Sequence, residues 1–155
     1  ILAIEAALYL FPGIDIQLIK EGLNKALMPG RWEMIKERVY IDGAHNNHAL
    51  IALKETLNDR FKHKKVNVLF SALGDKDIKS MLHVIKDFSN HIILTSFDDF
   101  RFKDLSEFED NNIIYIKDFD QAFSTSYNHL KSDEILLITG SLHFIGYAKK
   151  RLTWK

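Results

Sequence analysis

The residues best placed to do chemistry fall in a few short stretches, of which Asp42-Gly43-Ala44-His45-Asn46 is the most informative. An acid, a glycine, a histidine and an asparagine stand there between a short apolar run and a helical pattern. Asp42 can accept two hydrogen bonds, as a ribose diol requires. Gly43 lets a ligand approach the backbone, and His45 can stack on a ring or donate a hydrogen bond. The same five residues also read as a plain turn with Asn46 as a helix N-cap. A further reading makes Asp42, His45 and His48 a metal site, because histidines three apart at a helix start share a face. No additional ligand is apparent for it.

Arg31 directly follows Pro29-Gly30, the clearest break in the chain. A guanidinium at a hinge suits a phosphate clamp that engages when domains close; the alternative is an ordinary surface arginine. In Ser71-Ala72-Leu73-Gly74-Asp75-Lys76-Asp77, Lys76 has the chemistry to meet a phosphate, but Asp75 and Asp77 flank it and argue for a capped turn. Ser96-Phe97-Asp98-Asp99 and Gly140-Ser141 complete the set, with His143 close to the latter. There is no Gly-x-x-x-x-Gly-Lys-Ser/Thr loop and no Gly-x-Gly-x-x-Gly fingerprint, so a self-contained nucleotide site is not expected. Nor is there a Gly-x-Ser-x-Gly elbow of the serine hydrolase type.

These stretches need strands and helices to hold them. Residues 1–10 read as the end of a helix, stopped by Pro12-Gly13. Asp15 reads as the N-cap of a second helix, with Ile16, Ile19, Leu23, Ala26 and Leu27 at helical spacing. After Gly30 the pattern changes. Trp32–Ile35 and Val39–Ile41 predict two short strands joined through Lys36-Glu37, close enough together to be antiparallel. The spacing of Leu50, Leu53, Leu57 and Phe61 predicts a helix over Asn46–Phe61. Val66–Phe70 follows as a strand, Asp77–Phe88 as a helix with Ile78, Met81, Leu82 and Ile85 inward, and Ile92–Thr95 as a strand. A short helix is predicted over Lys103–Asp110 and a strand over Ile113–Ile116. A helix capped by Asp118 buries Phe119, Ala122, Phe123, Tyr127 and Leu130. The strand Ile135–Thr139 and a closing helix from Ser141 to Leu152 end the chain. Repeated strand–helix units imply an α/β fold with a mostly parallel sheet, helices on both faces and one antiparallel edge strand. The four loop stretches then lie beyond strand carboxyl ends, where open α/β sheets bind ligands.

Composition narrows the function. The 155 residues are 46% hydrophobic and 27% charged, the profile of a folded globular chain. Lys and Arg total 21 against 21 Asp and Glu, so binding nucleic acid by bulk charge is disfavoured. The nearest basic group, Lys62, Lys64 and Lys65, reads as a solvated loop. There is no cysteine, which excludes a disulfide scaffold and a thiol nucleophile and fits a reducing compartment. No apolar run approaches the ~18–20 residues of a membrane helix, and the start has neither the basic residues nor the uninterrupted apolar core of a signal peptide. The chain begins without Met inside a helical pattern, so a longer parent protein is expected.

Met28-Pro29-Gly30-Arg31-Trp32-Glu33, Ile41-Asp42-Gly43-Ala44-His45-Asn46, Ser71-Ala72-Leu73-Gly74-Asp75-Lys76-Asp77 and Thr139-Gly140-Ser141-Leu142 follow one another in that order. Together they resemble the C-terminal domain of bacterial folylpolyglutamate synthase/dihydrofolate synthase, in the Mur ligase superfamily. The resemblance covers essentially the whole chain. It implies a Rossmann-like C-terminal domain over residues 29–155, preceded in 1–28 by the last helices of a central ATPase domain. It implies an ATP- and magnesium-dependent ligase that joins L-glutamate to folate or dihydropteroate through an acyl phosphate. Phosphate loop and metal ligands would belong to the central domain, so no metal site is expected here. By the same carry-over, Arg31 would contact the ATP phosphates and take part in catalysis, and Asp42 would bind the nucleotide through its ribose. His45 would lie beside Asp42 in the nucleotide and catalytic site, and Ser141 would help hold the incoming amino acid. A cytoplasmic monomer without nucleic-acid or membrane partners is implied. The family usually has proline after the His-Asn pair, where this chain has Asn47. That proline pre-sets the first helical turn, so a less rigid loop is expected. The reading from another class is a non-catalytic partner-binding or regulatory α/β domain.

Overall fold

The computed structural model describes residues 2–26 and 28–153, so the predicted apolar role of Leu27 lies outside the described residues, as does Ile1. Two helices come first, α1 (Leu2–Leu10) and α2 (Ile16–Lys25). The Asp15 side chain caps α2 by accepting the Gln17 N–H at 2.8 Å, as its position before the apolar series predicts. Neither helix supplies a described side chain to the two apolar layers around the sheet.

The sheet is built from β1 (Glu33–Lys36), β2 (Val39–Asp42), β3 (Lys65–Phe70), β4 (His91–Leu94), β5 (Ile113–Tyr115) and β6 (Glu134–Thr139), in the order β1-β2-β6-β3-β4-β5. β1 pairs antiparallel with β2, and every other pair is parallel. The predicted antiparallel edge strand is therefore β1. It begins at Glu33 and not at Trp32, because Trp32 has a φ of +45°, outside the extended region a strand needs.

Four helices cover the two faces. On one, α3 (Asn47–Arg60) and α4 (Ile78–Lys86) bury Leu50, Leu53, Leu57, Ile78, Met81, Leu82 and Ile85 against Val66, Val68, Phe70, Ile135 and Leu137. On the other, α5 (Phe119–Asn128) and α6 (Leu142–Thr153) bury Phe119, Ala122, Phe123, Phe144, Ile145 and Ala148 against Val39, Ile41, Leu69, Leu136 and Ile138. The central strands are buried on both faces, which is why they read as continuous apolar runs instead of alternating ones. In α5 the buried residue of the last turn is Ser126, while Tyr127 and Leu130 are only half-buried. Ser126 tolerates this because its hydroxyl donates to the Ala122 carbonyl.

The helix predicted over Lys103–Asp110 forms only a single 3-10 turn at Ser106–Phe108. Asp104 and Asp110 spend their carboxylates on the N–H groups of Ser106 and Asn112, two residues on. Such local bonds compete with a helical ladder.

Strand register lines up the carboxyl ends. Asp42 pairs with Thr139, Thr139 with Phe70, Phe70 with Leu94 and Leu94 with Tyr115. Because β6 inserts between β2 and β3, the loop that carries Ser141 lies beside the loop that carries Asp42.

Candidate functional site at the carboxyl edge of the sheet

Two of the predicted residues, Arg31 and Asp42, come together at the end of β2. Asp42 is 8% exposed. Its Oδ2 accepts the Trp32 N–H and its Oδ1 the Ala44 N–H, both at 2.9 Å. Each oxygen thus has one backbone donor already and keeps a remaining lone-pair direction. Arg31 Nη1 lies 3.9 Å from Asp42 Oδ1, and the Arg31 side chain is 41% exposed, free to reach outward. The two residues share a cleft of about 300 Å³ with Trp32, Ala49, Ala52 and Leu53. One charged pair, one aromatic ring and an aliphatic wall on α3 give that cleft the mixed character of a small-molecule site.

Arg31 is held by its neighbours' backbone. The Gly30 N–H donates to Glu33 Oε2 at 3.0 Å, and the Gly43 N–H donates to the Gly30 carbonyl at 2.8 Å. Gly30 has a φ of +71°, a conformation that glycine adopts without penalty. Trp32 adopts a left-handed φ that a bulky side chain rarely takes. Its indole pays for that by stacking on Tyr40 at 5.2 Å and meeting Phe61 edge-on at 5.4 Å.

His45 turns back onto its own loop: Nδ1 lies 2.9 Å from the Gly43 carbonyl. A carbonyl only accepts, so Nδ1 carries the proton and Nε2 is the free nitrogen, able to accept from a ligand or take up a proton. His48 is exposed on α3. Among the described residues no group of three or more His, Asp or Glu is placed to hold a metal ion; the structure does not gather Asp42, His45 and His48 into a ligand set.

Ser141 is 3% exposed, and its Oγ accepts the His143 N–H at 3.2 Å, which makes it the cap of α6. Its hydroxyl proton remains to donate. The Gly140 N–H donates to the Ala44 carbonyl at 3.1 Å, locking this loop to that of Asp42 and His45. In the loop after β3, Asp77 caps α4 through the Ser80 N–H, and Lys76 pairs with Asp75 at 2.8 Å. That is the capped-turn arrangement. Asn46 caps α3 through the Ala49 N–H at 2.9 Å. Asn47 donates from Nδ2 to Ser80 Oγ on α4, so the rigidity expected to be missing at this non-proline position is supplied by a cross-link between helices.

A second polar group at the same edge was not legible in the sequence. Arg101 Nη2 lies 3.0 Å from His143 Nε2, and His143 Nδ1 lies 3.3 Å from Asp99 Oδ2. The guanidinium can only donate, so Nε2 accepts and the ring's proton sits on Nδ1, facing Asp99. The Arg101 N–H and its guanidinium, beside Asp99, hold that carboxyl below its ordinary range. The sequence places Asp99 and His143 at this edge in two separate loops; Arg101, which contacts both, has no local pattern that announces it.

Residues 30–142 match the family described as Mur ligase, glutamate ligase domain. Among curated proteins, the chain is 38% identical over 145 residues to the dihydrofolate synthase/folylpolyglutamate synthase of Bacillus subtilis (strain 168), covering 90% of this chain and 34% of that protein. It is 30% identical over 147 residues to the UDP-N-acetylmuramoyl-L-alanyl-D-glutamate--2,6-diaminopimelate ligase of Rickettsia bellii (strain RML369-C), covering 86% and 31%. Its fold is that of the bifunctional folylpolyglutamate synthase/dihydrofolate synthase of Yersinia pestis, solved with AMPPNP and a manganese ion. The TM-score is 0.80 at 23% identity, over 90% of this chain and 35% of that one. The chain spans about a third of the length of the curated relatives it matches.

Proposed function

The chain belongs to the Mur ligase glutamate ligase domain family, and on that premise we propose that it is the closing C-terminal domain of an ATP-dependent ligase that adds L-glutamate to folate or dihydropteroate. The observation that carries the reading is the placement of Arg31. It stands exposed at the carboxyl edge of the sheet, beside a cleft, between Gly30 and Trp32, whose backbones Glu33, Gly43 and Asp42 hold. A cation fixed at its base and free at its tip can be carried onto phosphates bound elsewhere.

ATP, when bound, supplies the phosphoryl group that activates the acceptor's carboxylate for attack by the glutamate amine. The residues here fit a nucleotide's outer side. Arg31 meets developing negative charge on the phosphates, the kind of stabilisation that acts most strongly in the transition state. Asp42 uses its remaining lone pairs for ribose hydroxyls while holding the Arg31 turn in place. His45 offers Nε2 beside them. Ser141 offers its hydroxyl proton to the incoming amino acid. We assign magnesium, with the phosphate loop, to the preceding domain.

We assign residues 1–28 to that domain as well. α1 has no buried residue, and Tyr9, Leu10 and Phe11 are 84%, 66% and 62% exposed, as expected of helices whose packing partner is another core. The lack of cysteine is in keeping with the cytoplasm.

The test is an assay of ATP-dependent glutamate addition by the intact ligase, offered dihydropteroate and tetrahydrofolate in turn. Addition to either supports the reading. Addition to neither, with a muramyl peptide accepted instead, would place the chain in another branch of the same family.

A further inference from the structure

Glu33 and Lys149 form a latch on the turn that carries Arg31. Glu33, the first residue of β1, accepts the Gly30 N–H on Oε2 at 3.0 Å and the Lys149 ammonium on Oε1 at 2.6 Å. Lys149 lies on α6, 116 residues away in sequence. The Lys149 ammonium, with the Gly30 N–H, holds the Glu33 carboxyl below its usual range, so it is ionised at neutral pH. Both side chains are about one-third exposed, yet neither points at the cleft. The shared cleft is lined by Arg31, Trp32 and Asp42, not by Glu33 or Lys149.

The base of Arg31 is fixed at four points, the first being its own N–H, which donates to the Met28 carbonyl at 3.0 Å. Glu33 takes the N–H of the residue before it, Gly43 donates to that residue's carbonyl, and Asp42 takes the N–H of the residue after it. Asp42 ends β2 and Gly43 follows it, and Met28 belongs to the turn itself. Glu33 is tied through Lys149 to α6, the helix that Ser141 caps. Gly30 has no side chain to brace itself; a Cβ there would lie 2.7 Å from Ile145 Cδ1, also on α6. The turn therefore lies flush on α6 and relies on Glu33 to hold its N–H.

We propose that Glu33 and Lys149 are positioning residues for Arg31, setting the direction in which its guanidinium leaves the hinge. The proposal rests on the reading of Arg31 as the phosphate contact. Without Glu33 the Gly30 N–H loses its acceptor and the turn its tie to α6, and Arg31 starts from a wider spread of directions. A misplacement on the ångström scale at a charge-stabilising group costs roughly ten- to a hundred-fold in rate. Glutamine at position 33 keeps an acceptor for the Gly30 N–H while losing the charge that draws Lys149.

The experiment measures kcat, KM for ATP and melting temperature in the intact ligase for Arg31→Ala, Glu33→Ala, Glu33→Gln, Lys149→Met and the double variant Glu33→Ala/Arg31→Ala. The latch predicts that Glu33→Ala lowers kcat by about tenfold or more, that Lys149→Met lowers it less, and that Glu33→Gln stays within a few-fold of wild type. The double variant should be no slower than Arg31→Ala alone, because residues acting through one group do not add. A merely structural Glu33 would lower the melting temperature and leave this non-additivity absent. Losses that multiply in the double variant, or unchanged kcat in Glu33→Ala, overturn the latch while leaving Arg31 in place. Near wild-type turnover in Arg31→Ala overturns the reading of Arg31 and the latch with it.

Discussion

Asp42 reaches back ten residues to accept the Trp32 N–H at 2.9 Å, so the acid at the end of β2 and the turn beside the hinge are one unit. A single carboxylate holds Trp32 in its left-handed conformation and stands at the mouth of the cleft with Arg31. The proposed ribose contact would fall on the same side chain that holds this turn.

Replacing Asp42 should therefore show two effects. Asp42→Ala leaves the N–H groups of Trp32 and Ala44 without their acceptor, a cost of ~1–3 kcal/mol for a buried unsatisfied group. It should also weaken ATP binding in the intact ligase. Amide exchange at Trp32 and Ala44 reads the first effect and ATP titration the second. Full rescue of activity by excess magnesium would make Asp42 a metal ligand instead.

Gly140 should tolerate no side chain. Its φ is +122°, and a Cβ there would lie 2.3 Å from the Ser71 carbonyl oxygen and 2.7 Å from the Phe70 ring. Left-handed strain alone costs of the order of 1–3 kcal/mol, and the clash is with backbone. Gly140→Ala should lower the melting temperature of the 155-residue chain by several degrees; an unchanged melting temperature would mean the loops after β3 and β6 are not locked together.

Acid should loosen the hinge. Glu33 and Asp99 both titrate below their ordinary values of 4.5 and 3.8. A depressed folded-state pKa contributes stability that is complete above the unfolded value and is lost as pH falls through the folded one. The melting temperature of wild type should drop on going from about pH 6 to about pH 3, and that of Glu33→Gln should drop less. Parallel curves would show that Glu33 carries none of the acid sensitivity.

Much of this is legible in the sequence. The helical spacing of Leu50, Leu53 and Leu57, the caps at Asp15, Asn46, Asp77 and Asp118, and the apolar strand runs all follow from local rules, and local rules sufficed. The insertion of β6 between β2 and β3 did not follow, because strand order is set by contacts distant in sequence. Glu33 was hidden for a related reason: as one residue of a short edge strand it reads as surface, and only its fold-level neighbours, Gly30 and Lys149, give it a task. The Arg101–His143 contact bridges 42 residues of sequence, and no spacing rule spans that distance. The helix expected over Lys103–Asp110 failed where aspartates bonded their own backbone, a competition that apolar periodicity does not register.

The isolated chain should bind ATP only weakly. No described segment cradles the β- and γ-phosphates, and the cleft beside Arg31, at about 300 Å³, lies at the low end of small-molecule sites. Isothermal titration of residues 1–155 with ATP and magnesium checks this. Micromolar binding would put the nucleotide site on this domain and not on its neighbour.

On the proposed reading, Arg31 is brought to the phosphates by this domain and serves the reaction there, not the fold. The most direct measurement is ATP-dependent glutamate addition by the intact ligase carrying Arg31→Ala, with its melting temperature taken alongside. A phosphate clamp worth ~3 kcal/mol or more predicts a loss of at least about a hundred-fold in turnover, at a melting temperature within a degree or two of wild type. Turnover near that of wild type would contradict the account.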